Sequence, residues 1–203
     1  MKGKFIVFEG MDGCGKSTIL WNFAKHLFNQ DKHLHLIITR EPYKERKIRE
    51  ILKQDSNPRS QKEKLTDLFI QDRQEHLKEL VNPSLEKGIW VVSDRYKYST
   101  LAYQWAQGMP IEKLIEKHSN LLVPDIVFIL DVPVEVAVER MKKDIRKEHK
   151  FEANLTFLEK VRQNYLKLPE LLPEEKIFVI DATENIEKVT QAVIEVFRSN
   201  RQL

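Results

Sequence analysis

The chain has 203 residues, 32% of them charged, and its 34 basic side chains nearly cancel 31 acidic ones to leave a net charge of +3. That length suits one α/β domain with a full core around one sheet, and so small an excess of charge is no global footprint for nucleic acid. A single cysteine excludes an internal disulfide, no apolar run reaches the length of a membrane span, and no signal-peptide pattern precedes the first apolar run. The expectation is a cytoplasmic protein, without a membrane or nucleic-acid partner, that binds a small anion.

The first apolar run, Phe5-Ile6-Val7-Phe8, leads into Glu9-Gly10-Met11-Asp12-Gly13-Cys14-Gly15-Lys16-Ser17-Thr18 and then into a helical pattern. Gly10, Gly15, Lys16 and Ser17 fit G-x-x-x-x-G-K-[ST], a pattern that arises by chance in only about one chain in a hundred of this length. Such a loop turns successive backbone N–H groups inward around a phosphate, and the helix that follows adds the positive end of its dipole. Lys16 then reaches the β/γ-phosphates and Ser17 holds Mg²⁺, so ATP or GTP is the expected ligand. A plain glycine turn between strand and helix is the bland alternative. Cys14 is expected to contribute only its backbone.

Four more apolar runs follow, at residues 35–39, 89–93, 126–130 and 177–180, with helical patterns between them. Their near-continuous apolar character predicts strands covered on both faces, and the alternation predicts right-handed crossovers in a doubly wound parallel sheet. Helices are predicted at 16–30, 45–54, 62–86, 96–106, 111–118, 134–145, 152–168 and 185–199, with Pro169 and Pro173 closing the seventh. Each apolar run meets a polar residue, Glu9, Arg40, Asp94, Asp131 or Asp181. Ligands of open α/β sheets bind beyond the carboxyl ends of the strands, so this edge is the expected active side. No repeat or low-complexity tract suggests a second domain, so residues 1–203 read as one unit.

Asp94-Arg95-Tyr96 offers a carboxylate for magnesium and a guanidinium that can grip phosphoryl oxygens in a bidentate way. Arg40 ends the second run, and two arginines with Lys16 on one edge exceed the needs of one triphosphate, which points to a second phosphorylated ligand. Phe69 and Arg73 are four apart on one helical face, where a flat base could stack on the ring while the guanidinium donates to a carbonyl. Thr100, Tyr103 and Gln104 share a face of the helix after Arg95 and offer hydroxyl, phenol and amide groups. The bland readings are a core phenylalanine, a surface arginine and an ordinary amphipathic helix. Leu65, Leu68, Leu77 and Leu80 could face either the sheet or a second copy.

These pieces together resemble the thymidylate (dTMP) kinases across nearly the whole chain. The similar segments are Phe8-Glu9-Gly10 with Asp12-Gly13, Thr39-Arg40-Glu41-Pro42, Leu68-Phe69 with Asp72-Arg73, and Asp94-Arg95-Tyr96 with Ser99-Thr100 and Ala102-Tyr103-Gln104. Pro124-Asp125, Leu130-Asp131-Val132 and Ile180-Asp181-Ala182-Thr183 also fit. The resemblance implies transfer of the γ-phosphoryl of MgATP to dTMP, strand order 2-3-1-4-5, a closing lid and a homodimer. It implies an ATP site formed by Gly10, Met11, Asp12, Gly13, Cys14, Gly15, Lys16, Ser17 and Thr18 together with Arg140, Ala182 and Thr183. The implied dTMP site is Asp12, Arg40, Phe69, Arg73, Arg95, Ser99, Thr100, Tyr103 and Gln104, with Ser17 and Asp94 at the metal and Lys16, Arg95 and Asp12 catalytic.

Two departures stand out. Many bacterial members follow Arg-Glu-Pro with two glycines where this chain has Tyr43-Lys44, and one branch carries an arginine inside the phosphate loop where none stands here. The basic segment at about 142–151 is therefore the expected lid, mobile until nucleotide binds, with Arg146, Lys147 and Lys150 as candidates for the missing cation and Arg146 foremost. The alternatives are a kinase for another nucleoside or nucleoside monophosphate, and a nucleotide-dependent switch ATPase.

Overall fold

The computed structural model describes residues 2–44, 46, 48, 50, 51, 62–143 and 155–200, with Lys143 by its backbone alone. Strands β1 (Phe5–Glu9), β2 (Leu36–Arg40), β3 (Trp90–Asp94), β4 (Ile126–Asp131) and β5 (Ile177–Asp181) form one parallel sheet in the order β2-β3-β1-β4-β5. Parallel neighbours cannot be joined by hairpins, so helices carry the chain back across the faces. These are α1 (Lys16–Gln30), α2 (Lys62–His76), α3 (Asn82–Glu86), α4 (Lys97–Ala106), α5 (Ile111–His118), α6 (Val134–Lys143), α7 (Leu155–Leu171) and α8 (Ile186–Ser199). Among the described residues, no helix is long and apolar enough to cross a membrane.

The three inner strands are covered on both faces, as their apolar runs predict, but the two edge strands are not. No residue of β2 is fully buried, Arg40 at its end is exposed, and Val179 of β5 is 41% exposed. An edge strand has a neighbour on one side only, and helices on the two faces cannot close around its open flank. Beneath the central strand, Phe23 of α1 packs on Phe8, Phe128 and Phe197 with ring centroids 5.5, 5.9 and 5.2 Å away. Each such buried ring stabilises the fold by about 1.5–3 kcal/mol, and this cluster fixes α1 under the carboxyl end of β1.

Two helices depart from their sequence patterns, both at prolines. The long run at 62–86 contains a wide π turn at Leu77–Val81, where the Asn82 N–H donates to Leu77 O. Pro83 has no N–H and its ring crowds the carbonyl one turn back, and the wider turn absorbs that misfit. Helix α7 passes through Pro169 to Leu171 instead of ending before it. Only one backbone bond is lost there, while Leu168 stays fully buried and Leu172 N still donates to Leu168 O at 2.9 Å. Of the four leucines left open by sequence, Leu65 and Leu77 are buried within the chain, whereas Leu68 and Leu80 are half-buried.

Helix α2 is held against β2, α4 and α5 by one buried guanidinium. Arg73 is 1% exposed; its Nε donates to Glu41 Oε2 at 2.7 Å, and Nη2 donates to Tyr96 O at 3.2 Å and Thr100 Oγ1 at 3.1 Å. Its Nη1 lies 3.0 Å from His118 Nε2, and His118 Nδ1 lies 2.6 Å from Leu114 O. A carbonyl can only accept, so Nδ1 carries the proton and Nε2 accepts from Arg73. Burial first, and the Arg73 charge second, push His118 from 6.5 down to about 3. Glu41 completes the stitch with its other oxygen 3.2 Å from His76 Nδ1.

A histidine held neutral by the fold binds a proton more readily in the unfolded chain. Its contribution to stability is therefore complete above pH 6.5 and lost as pH falls toward about 3. Over that window this one group should lower the unfolding free energy by up to about 1.4 kcal/mol per pH unit. Urea unfolding at a series of pH values should show this slope in the wild type and its loss in His118→Gln, which can still accept from Arg73 but does not titrate.

Candidate active site

The loop between β1 and α1 closes around its own lysine. Lys16 is 7% exposed, and its Nζ donates to Gly10 O at 2.9 Å and Met11 O at 2.8 Å, with Cys14 Sγ at 3.8 Å. Gly15 sits at φ 92°, a backbone state L side chains rarely adopt, and a Cβ there would meet nothing within 4 Å. The loop thus presents open space above the first turn of α1, where Ser17 and Thr18 are exposed. Gly10 is needed for close approach instead, because a Cβ there would lie 2.5 Å from Leu130 O of β4.

Asp94 and Arg95 join this loop to the next strand. Ser17 Oγ donates to Asp94 Oδ2 at 3.0 Å, while Asp94 Oδ1 is buried with no hydrogen-bond partner. A hydroxyl beside an unsatisfied carboxylate oxygen fits a magnesium held by one carboxylate, waters and substrate phosphates. It does not resemble an all-protein cage, and among the described residues no cluster of three His, Cys, Asp or Glu could form one. Arg95 Nη2 donates to Asp12 Oδ1 at 2.8 Å, Nη1 donates to Ser99 Oγ at 2.8 Å, and the guanidinium lies 5.6 Å from the Tyr103 ring centre. Arg95 also has φ 74°, the one described non-glycine residue in the left-handed region.

The expected base-binding groups line the interface of α2 and α4. Arg73 and Thr100 are bonded to one another, Phe69 is half-buried outside the main core, and Tyr103 OH and Gln104 Oε1 are buried without hydrogen-bond partners. Buried polar atoms are nearly always paired, so two orphans on one helix face mark where a ligand can supply the missing partners. Burial, with the Asp12 charge next, pushes the Tyr103 phenol up, so it stays a donor. The same side of α4 also carries Gln107, whose Oε1 is an orphan too and which sequence reasoning did not single out. Arg73 was expected to be reachable from one helical face; it is instead four-bonded and buried, with one of its five N–H groups left over.

The remaining expected residues divide. Arg140 Nη1 and Nη2 donate to Ala182 O and Thr183 O at 3.0 and 3.2 Å, so these three do come together. Arg40 is exposed at the end of β2, in register with Asp94, and lines a cleft of about 310 Å³ with Ser17, Trp21, Thr39, Tyr43 and Asp94. The Tyr43-Lys44 departure has a structural role: both backbone N–H groups donate to the Asp72 carboxylate, and the Tyr43 ring stacks on His76 at 4.6 Å. Arg146, Lys147 and Lys150 lie outside the described residues.

Four side chains that hold the site together, His118, Glu9, Tyr165 and Arg162, were given no individual role by the sequence. His118 orients Arg73, as above. Glu9 is fully buried at the end of β1, and Tyr165 of α7 reaches it with a 3.0 Å bond. Burial pushes the Glu9 carboxyl up, against the opposing pull of Arg95 and of bonds from Ser99, Tyr96 and Tyr165. Arg162 grips Asp131 with two bonds of 2.8 and 2.9 Å at the end of β4. Glu9 carried a faint signal, a charged residue closing an apolar run, but nothing local marks a tyrosine 156 residues away as its partner.

A family model described as "Thymidylate kinase" matches residues 8–193. A "Probable thymidylate kinase" of Thermococcus kodakarensis is 39% identical over 96% of this chain and 97% of its own length. One of Pyrococcus abyssi is 36% identical over 98% and 97%, and a "Thymidylate kinase" of Thermosipho melanesiensis is 39% identical over 91% and 92%. Since the match takes in the phosphate loop, both arginine-bearing strand ends and most of α8, and the relatives align over nearly their full lengths, the chain belongs to the thymidylate kinase family.

Proposed function

We propose that the chain transfers the γ-phosphoryl of ATP to dTMP, giving dTDP and ADP. The observation that carries this reading is the 2.8 Å bond between Asp12 of the phosphate loop and Arg95. It makes the nucleotide loop and the α4 face with orphaned Tyr103 and Gln104 parts of one continuous site. A switch ATPase has no use for a second polar subsite beside its phosphates, and the family match speaks against other acceptors.

In this reading Gly10 to Thr18 cradle the donor phosphates, with the Arg140 side chain and the backbone at Ala182 and Thr183 beside the adenine. Arg40 and Arg95 hold the acceptor phosphate, Asp12 orients Arg95 and the sugar, and Phe69, Arg73, Thr100, Tyr103 and Gln104 receive the base and deoxyribose. Ser17 and Asp94 would hold Mg²⁺, which supplies charge neutralisation at the β- and γ-phosphoryl oxygens. Lys16 and Arg95 offset charge that develops on the transferred group, and the acceptor phosphate needs no strong base because its oxygen is already anionic. Arg146 supplies the cation that the phosphate loop lacks. A single unit over residues 1–203, a homodimer and a cytoplasmic location belong to the same reading.

Three outcomes are expected. ADP release with MgATP and a panel of nucleosides and monophosphates should be fastest with dTMP, and Lys16→Ala should lower kcat about a hundred-fold or more with an unchanged far-UV spectrum. A preference for thymidine, or release without any acceptor, would select one of the alternatives. Arg73→Ala should weaken dTMP binding by about 1–3 kcal/mol and leave ATP binding alone, and it should also lower the melting temperature because Glu41 is left buried without its cation. Arg146→Ala should lower kcat with little change in KM for dTMP; wild-type kcat in Arg146→Ala, Lys147→Ala, Lys150→Ala and the triple variant would remove the cation role from this segment.

A further inference from the structure

Arg95 is the one described non-glycine residue with a left-handed backbone, at φ 74°. That state costs about 1–2 kcal/mol for an L residue and persists only where the surroundings over-determine it. Here they do: Arg95 N donates to Phe8 O at 2.9 Å, Ser93 Oγ donates to Arg95 O at 2.7 Å, and the next amide, Tyr96 N, donates to Glu9 Oε1 at 2.7 Å. The strained backbone is thus clamped between β1 and β3, with the Glu9 carboxylate as one jaw.

The same carboxylate controls the other end of the residue. Arg95 Nη1 donates to Ser99 Oγ at 2.8 Å and to Tyr165 OH at 3.4 Å. Both hydroxyls donate onward to Glu9 Oε2, at 2.6 and 3.0 Å, and Ser99 N adds a 3.2 Å bond to Oε1. A wholly buried carboxylate is costly to maintain, and β1 could be packed against α4 and α7 by apolar side chains at lower cost. What the carboxylate adds is direction: its lone pairs turn both hydroxyl protons inward, which leaves their oxygens free to accept from the guanidinium. With Nη1 fixed in this way, Nη2 is aimed at Asp12 and the phosphate loop.

We propose that Glu9 and Tyr165 are positioning residues that, with Ser99, lock the Arg95 guanidinium in the orientation needed for phosphoryl transfer, an inference that rests on the kinase reading above. Neither residue is among those assigned above to the nucleotide sites. Tyr165 belongs to α7, so the orientation of Arg95 is set jointly by the first strand and the seventh helix, which are 156 residues apart in the chain.

The test removes one hydroxyl and keeps the ring. Tyr165→Phe should lower kcat about ten-fold with the KM for dTMP and for MgATP within about two-fold of wild type. Its melting temperature should stay close to wild type, because the ring still packs on Tyr103. Glu9→Gln keeps the volume but has one acceptor oxygen where the carboxylate uses two, Oε2 for the hydroxyls and Oε1 for the Tyr96 and Ser99 N–H groups, and should give the same fall in kcat. The decisive comparison is with Arg95→Lys, whose single nitrogen cannot span Ser99 and Asp12: adding Tyr165→Phe to it should change kcat by less than about two-fold. Wild-type kcat in both Tyr165→Phe and Glu9→Gln would overturn the inference, as would an equal fall in the wild-type and Arg95→Lys backgrounds, which would mark the network as structural. Wild-type protein that releases no ADP with dTMP or any other acceptor would overturn the kinase reading itself, a result separate from any of these.

Discussion

One ammonium group organises the carboxyl edge of the sheet. Lys16 is bonded to the carbonyls of Gly10 and Met11 and nearly removed from solvent, so the loop that carries it must fold back around its own side chain. The loop can close so tightly only because it lies directly on its neighbours. A Cβ at Gly10 would strike Leu130 O, and one at Gly13 would come within 2.3 Å of Ala137 O on α6. Central strand, flanking strand and α6 are thereby set relative to one another by backbone contact, and α6 carries Arg140 to the Ala182 and Thr183 carbonyls.

Buried charge does the rest of the positioning, and it does so through pairs that share partners. Glu41 sits between Arg73 and His76, Glu9 serves two amides and two hydroxyls around Arg95, and Asp72 caps the backbone at Tyr43 and Lys44. Each carboxylate fixes a segment that precedes or follows a strand end, where regular secondary structure has stopped supplying hydrogen bonds. Such groups are expensive to bury and are weak contributors to net stability. Their effect is to select one arrangement of the loops, since any other would leave a charge unpaired in a low-dielectric interior. The Asp72 cap also shows how the chain tolerates Tyr43-Lys44 after Arg40-Glu41-Pro42: the two backbone N–H groups have a fixed acceptor, and the tyrosine ring has a stacking partner in His76.

Much of this molecule was determined by sequence order alone. A glycine-rich loop, a β-branched run before it and a helix after it are local facts, and apolar runs alternating with helical patterns leave few topologies besides a parallel sheet with its active side at the carboxyl edge. Lys16, Ser17, Asp94 and Arg95 were legible for that reason, because their chemistry and their place at a strand end are both written within a few residues. Tertiary structure decided what depends on distant partners. The exposure of β2 and β5 follows from their edge positions, the passage of α7 through Pro169 from the packing of Leu168, and the wide turn before Pro83 from a helix that had to continue. That Arg73 is also a four-bonded buried residue was not legible, because Glu41, Thr100 and His118 come from three other parts of the chain. Tyr165, His118 and the partners of Glu9 were invisible for the same physical reason: a hydrogen bond is specified by the positions of two atoms in space, and the chain encodes those positions only through the fold that brings them together.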